Sequence, residues 1–255
     1  MRKILFNPKN FIKLGVVALI CAVLLFGINF PGIDIEVFPT MRDAFWYIRE
    51  GYIDAWESEF HADVFFTFLW ILILIPIINS AVTSDLEVMK SYLVIRIKRV
   101  GKWYNFKLLQ IIIYSLFTSV VYHLVIFSSL IFSDHGFTDV FGAAGAILAG
   151  IAVGTFFLSF SVVLTYILSL KMPENISSFI VFSGFVVLLV LAMFATSDWV
   201  QYMPLLYYYT SWQDKTHALK YMFSYPTWSY YTVLTCMFIA EIMIGRKIAE
   251  KTDYI

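Results

Sequence analysis

Charge is what this sequence has least of. Only 14% of its 255 residues are Asp, Glu, Lys or Arg, against about a quarter in soluble domains. Hydrophobic residues make up 60%, more apolar surface than a soluble core can hide, so most of it must face lipid. Neither sign is in excess, with 18 basic and 18 acidic residues, and no nucleic-acid partner is expected. Cysteine is scarce too. Cys21 and Cys236 both fall inside apolar runs without metal-ligand spacing, and read as small buried apolar side chains.

Several catalytic signatures are missing. No G-x-x-x-x-G-K-[ST] loop exists, since Gly101-Lys102 is followed by Trp103, so the chain is not a conventional ATPase by itself. There is no H-E-x-x-H, and His61, His123, His135 and His217 are scattered. No G-x-S-x-G elbow occurs. No paired acids or serine–histidine pair is legible at membrane depth, so enzyme activity in this chain is not expected, and neither a cofactor nor a metal is expected within it.

What is present is a series of long apolar runs, at 14–30, 64–82, 108–132, 141–170, 176–196 and 227–244. Each approaches or exceeds the ~20 residues that cross the hydrocarbon core as a helix. Helices are the sensible conformation, because an isolated strand would leave its backbone unpaired in lipid. The expected fold class is therefore all-α, a multi-pass membrane protein with six transmembrane helices in one transmembrane domain. The first run is too long for a signal-peptide core and ends at Phe30-Pro31-Gly32, which reads as a helix stop.

The basic residues set the orientation. Arg2, Lys3, Lys9 and Lys13 precede the first run. Lys90, Arg96, Lys98, Arg99, Lys102 and Lys107 lie in the second connection, Lys171 in the fourth, and Arg246, Lys247 and Lys251 in the tail. Arg42, Arg49, Lys215 and Lys220 fall on the other side. The positive-inside rule puts both termini in the cytoplasm of a cell-membrane protein.

The segments between the runs differ in character. Residues 1–13 interleave Ile4, Leu5, Phe6, Phe11 and Ile12 with lysines, which suits an amphipathic segment on the anionic inner leaflet. There Asn7-Pro8 can cap and start a helix. The outer segment 31–63 is acidic, with an apolar stripe of Phe45, Ile48, Tyr52, Trp56 and Phe60 at helical spacing. It reads as a helix lying flat on the outer surface with its aromatics towards lipid or protein, either a lid or cation-attracting mouth or an ordinary solvated loop. The inner segment 83–107 is basic, and Gly101 offers a break before Trp103. Residues 197–226 crowd Trp199, Tyr202, Tyr207, Tyr208 and Trp212 between short breaks. They form an interfacial aromatic belt or the lining of a path, or outer gate, for an amphipathic substrate.

Inside the runs, Gly142, Ala146, Gly150 and Gly154 recur in steps of four, a face that lets two helices pack closely. Pro76 sits in the second run and bends it. His123 and Glu241 are intramembrane ionisable groups and so candidates for function. Glu241 is expected to snorkel or pair with Arg246, His123 to stay neutral on one hydrogen bond, and no relay links them.

The order of these parts resembles the permease subunits of type 2 ABC exporters, especially small bacterial exporters of peptides, bacteriocins and peptide toxins. In that family a basic elbow precedes six spans, matched here by residues 1–13. A cytoplasmic coupling helix follows the second span, matched by Tyr92-Leu93-Val94-Ile95-Arg96-Ile97-Lys98-Arg99 and Lys102-Trp103. An outer re-entrant hairpin precedes the sixth span, matched by 197–226. The large acidic first outer loop is longer than the family's minimal pattern. The resemblance implies export energised by a separate ATP-binding cassette subunit, which binds ATP and magnesium. It also implies a second permease subunit, alike or different. On the same resemblance Glu87, Lys90, Tyr92, Arg96, Lys98 and Arg99 couple the bundle to the ATPase. The competing reading is a non-transporting immunity or sensor protein that binds a peptide at the outer face.

Overall fold

The computed structural model describes residues 7–30, 40–50, 68–84, 100–133, 140–194 and 227–251. These form seven helices, with no strand among the described residues: α1 (Pro8–Asn29), α2 (Met41–Glu50), α3 (Phe68–Ser84), α4 (Val100–Ile131), α5 (Val140–Ser169), α6 (Glu174–Phe194) and α7 (Thr227–Lys251).

Local chemistry explains the helix ends. Asn7 caps α1, its side chain accepting from Lys9 N at 3.1 Å, and Pro8 occupies the first turn, where its missing N–H costs nothing. Residues 8–13, the second half of the expected elbow, are thus the opening turns of α1 itself. The first half lies outside the described residues. Thr40 caps α2, its hydroxyl accepting from Asp43 N at 3.1 Å. Gly101 does not break the chain: α4 runs through it, because α7 lies alongside and a bare glycine admits the Arg246 and Glu250 side chains. The basic tail likewise continues α7 rather than leaving it.

Six spans are expected from the sequence. Three helical stretches among the described residues are both long and apolar enough to cross a membrane: Pro8–Ile28, Gly101–Ile131 and Gly142–Ser169, with mean hydropathies of 2.7, 1.9 and 2.3. The apolar stretches Phe68–Ser84 and Glu174–Leu188 are shorter. α7 is long but carries Glu241, Arg246 and Lys247 along its length.

α4 is the hub, packing against α1, α2, α5 and α7, while α5 also meets α2, α6 and α7. The peripheral helices turn large apolar side chains outward, among them Ile12, Leu24, Phe179, Leu191 and Met243. In water such faces would be a liability; in lipid they are the matching surface. Apolar burial drives little helix association there, so close packing and interhelical polar contacts hold the bundle. Several buried hydroxyls are satisfied within their own helices: Thr118 donates to Tyr114 O, Ser161 to Phe157 O and Thr165 to Ser161 O, at 2.7–2.9 Å.

The apolar face of α2 is turned towards protein. Ala44, Phe45, Ile48 and Arg49 are fully buried, and the helix packs into α5, α4 and α1. Its apolar stripe needs a dry partner, and the glycine face of α5 offers one. Tyr52, Trp56 and Phe60, the rest of the stripe, lie outside the described residues.

Candidate functional site

The bundle interior holds an arginine. Arg49, at the last turn of α2, is completely buried and donates from Nε to His123 Nε2 at 3.1 Å, while its guanidinium sits 5.2 Å from the centroid of the Trp46 ring. His123, in the C-terminal half of α4, is also completely buried, and its Nδ1 lies 2.7 Å from Ser119 O, one turn back. Because Nε2 accepts from arginine, Nδ1 must be the donor, which fixes the neutral Nδ1–H tautomer.

Aromatic rings box the imidazole. Trp70 of α3 stacks on Tyr122 with centroids 4.1 Å apart at 12°, and both rings meet His123 edge-on, at 5.9 and 5.1 Å. Phe45 closes another side at 6.1 Å. The glycines of α5 form the last wall. A Cβ at Gly150 would fall 2.9 Å from His123 Cδ2. One at Gly154 would fall 2.8 Å from Ser119 Oγ and 2.9 Å from His123 Cε1. Ala146 is buried on the same helix, and Gly142 is half-buried.

A serine–histidine pair therefore does exist at membrane depth, contrary to the sequence reading. Ser119 Oγ is 3.3 Å from His123 Nδ1, because residues four apart share a helix face. It is not set up for nucleophilic attack. Nδ1 spends its proton on a backbone carbonyl, and the serine hydroxyl donates to Ile151 O of α5 at 3.0 Å. The pair ties α4 to α5 instead.

A second polar cluster sits where α3 ends and α4 begins. Lys107, 1% exposed, donates from Nζ to Val82 O at 2.6 Å and to Gln110 Oε1 at 3.2 Å. Val82 lies in the last turn of α3, whose unpaired carbonyls and helix dipole both favour a cation. Gln110 passes the chain on to the Tyr114 hydroxyl at 3.2 Å, which Asn10 of α1 approaches to 3.4 Å. Nearby, Thr83 donates to Glu174 Oε2 at 2.6 Å and Asn79 to Ser169 Oγ at 3.2 Å, binding α3 to α6 and α5.

The expected coupling residues Glu87, Lys90, Tyr92, Arg96, Lys98 and Arg99, and the aromatic path residues Trp199, Tyr202, Tyr207, Tyr208 and Trp212, lie outside the described residues. Of the polar centre, His123 and the glycine stripe were legible in the sequence. Arg49 and Lys107 were counted only as charges that set topology. Spacing held a signal for Arg49, which shares a helix face with Phe45, four residues earlier. Among the described residues no group of His, Cys, Asp and Glu could hold a metal ion. Compared with known proteins, the chain matches no family model, no curated protein and no solved structure.

Proposed function

We propose that this chain is a permease subunit of an ATP-driven exporter, with six spans, both termini in the cytoplasm, and an amphipathic peptide or lipid-like molecule as substrate. Energy comes from a separate ATP-binding subunit, and a second permease subunit completes the path. The observation that carries the reading is the Lys107–Val82 bond. It joins the last turn of α3 to the first turns of α4, at the two ends of the basic segment 83–107. A push on that segment reaches both helices as a unit, and α3 and α4 meet again at the Trp70–Tyr122 stack beside His123. That is the mechanical connection a coupling segment needs. Arg96 and Arg99 suit charge-assisted bonds to acidic or carbonyl groups of the ATPase.

The test is co-purification from detergent with a partner carrying G-x-x-x-x-G-K-[ST], followed by charge reversal of Arg96 and Arg99. Coupled ATPase activity should vanish while membrane insertion stays intact. Normal coupled activity in the reversed variant removes the coupling role.

A sensor or immunity protein is the second reading, favoured by the burial of α2. A peptide bound at the outer segment would act on the bundle core through Arg49. Cellular protection that survives deletion of the ATPase would select this reading over export.

A further inference from the structure

Glu241 of α7 is a buried acid without a partner, where buried acids are ordinarily paired. It is 9% exposed, and neither carboxyl oxygen has a hydrogen-bond partner. The expected partner is committed elsewhere: Arg246 Nε donates to Glu250 Oε1 at 3.0 Å, on the half-exposed side of the helix. Glu241 therefore turns inward, on the face of α7 that packs on α4 and α5, the same face on which Gly245 four residues later meets Tyr104 of α4. Tyr104 is completely buried, and its hydroxyl also has no partner. The junction is tight. One turn on, Gly245 packs directly on the Tyr104 hydroxyl, and a Cβ there would fall 2.6 Å from Ile167 Cδ1 of α5.

Among the described residues no cation offsets a carboxylate at this position. α4 contributes Tyr104 and, further along, Lys107, which is bonded to Val82 O and Gln110; its Lys102 is exposed. α5 has no charged residue, and its titratable group here is Tyr166, with its ring 6.1 Å from that of Tyr104. On α7 itself Lys247 and Lys251 are exposed, like the Arg246–Glu250 pair. A bare carboxylate packed this way would pay desolvation with no Coulombic return. A bulky cation needs room and several ligands. A proton needs neither.

We infer that Glu241 is a proton-binding site inside the helix bundle, held as the neutral acid while α7 is packed on α4 and α5, and ionised when that end of α7 moves away. The O–H bond breaks to water at the helix end, a turn or two distant at Arg246 and Lys247, and reforms from it on closure. Acid favours the packed state and base the separated one, because only the neutral form tolerates the dry junction. The inference holds whether or not the chain belongs to an exporter.

The test uses the full chain in lipid nanodiscs. Infrared difference spectra between neutral and alkaline pH should show a protonated-carboxyl C=O band disappearing, and that band should be missing in Glu241→Gln. Glu241→Asp, which keeps the acid, should restore it at a shifted frequency. In parallel, nitroxide labels at the exposed positions Lys102→Cys and Lys247→Cys, in a Cys21→Ser, Cys236→Ser background, report the α4–α7 contact and leave the Arg246–Glu250 pair in place. Their dipolar broadening should fall severalfold at alkaline pH with Glu241 present and stay constant with Gln. A spectrum in which neither the wild type nor the Asp variant shows this band overturns the proton site. A titrating band with unchanged broadening overturns its link to helix packing.

Discussion

At the scale of single residues, this protein is governed by how little room surrounds its polar groups. His123 touches the backbone of α5 only because positions 150 and 154 lack side chains. Replacing Gly154 by Ala puts a methyl within 2.8 Å of the Ser119 hydroxyl, and overpacking of that kind costs about 1–3 kcal/mol. Gly145 has open space at the same test, so Gly145→Ala should leave stability unchanged or raise it by up to about 1 kcal/mol, the helix-propensity gain. Thermal unfolding in detergent compares the two; equal shifts would refute the role of the glycine face. Arg49 makes the complementary case. His123→Leu removes the acceptor for its Nε, and leaving a buried charged donor short of a partner should lower stability by about 1–3 kcal/mol. His123→Gln, which keeps an acceptor, should recover part of that loss in the same assay.

At the scale of elements, the joints matter more than the helices. α3 is held at one end by Lys107 and Glu174 and at the other by the Trp70 stack. Lys107→Met keeps the length and removes the ammonium from the Val82 carbonyl, a charge-assisted bond of about 1.5–3 kcal/mol. The variant should insert normally, unfold earlier, and lose coupled ATPase activity in the assembled transporter. Coupled activity at the wild-type level would mean the α3–α4 joint plays no part in transmission. α2 teaches a related lesson. Its amphipathic pattern was plain in the sequence, but amphipathicity names a face and not the partner that covers it.

At the scale of the whole molecule, the claim at stake is topology. Three helical stretches among the described residues are long and apolar enough to cross a membrane, while six spans with both ends inside is the arrangement the charge distribution favours. Alkaline phosphatase fusions decide between them. Fusions after Phe60, Gly136 and Lys215 should be active, and those after Val94, Met172 and Ile255 inactive. Activity at Val94 or Ile255 would break the alternation and, with it, the reading of residues 83–107 as a cytoplasmic coupling segment.

The sequence by itself determined the solvent of this protein and the conformation of its chain. Scarce charge, long apolar runs and the rarity of other backbone solutions in lipid lead to helices, and Asn7-Pro8 marks where the first begins. It also marked His123 and the Gly142–Gly154 stripe, because an ionisable residue or a four-residue glycine period stands out in an apolar run. Only the tertiary structure decided what these features do. Arg49 and Lys107 look like topological charges in one dimension, since burying a cation depends on acceptors far along the chain: His123 is 74 positions from Arg49, and Val82 is 25 from Lys107. Glu241 has a cation one turn and a half away in sequence, yet that cation is spent on Glu250, and the direction an acid faces is set by whichever helix packs beside it. Composition fixes what must be hidden from water; the pairing of helices decides which polar groups are hidden along with it.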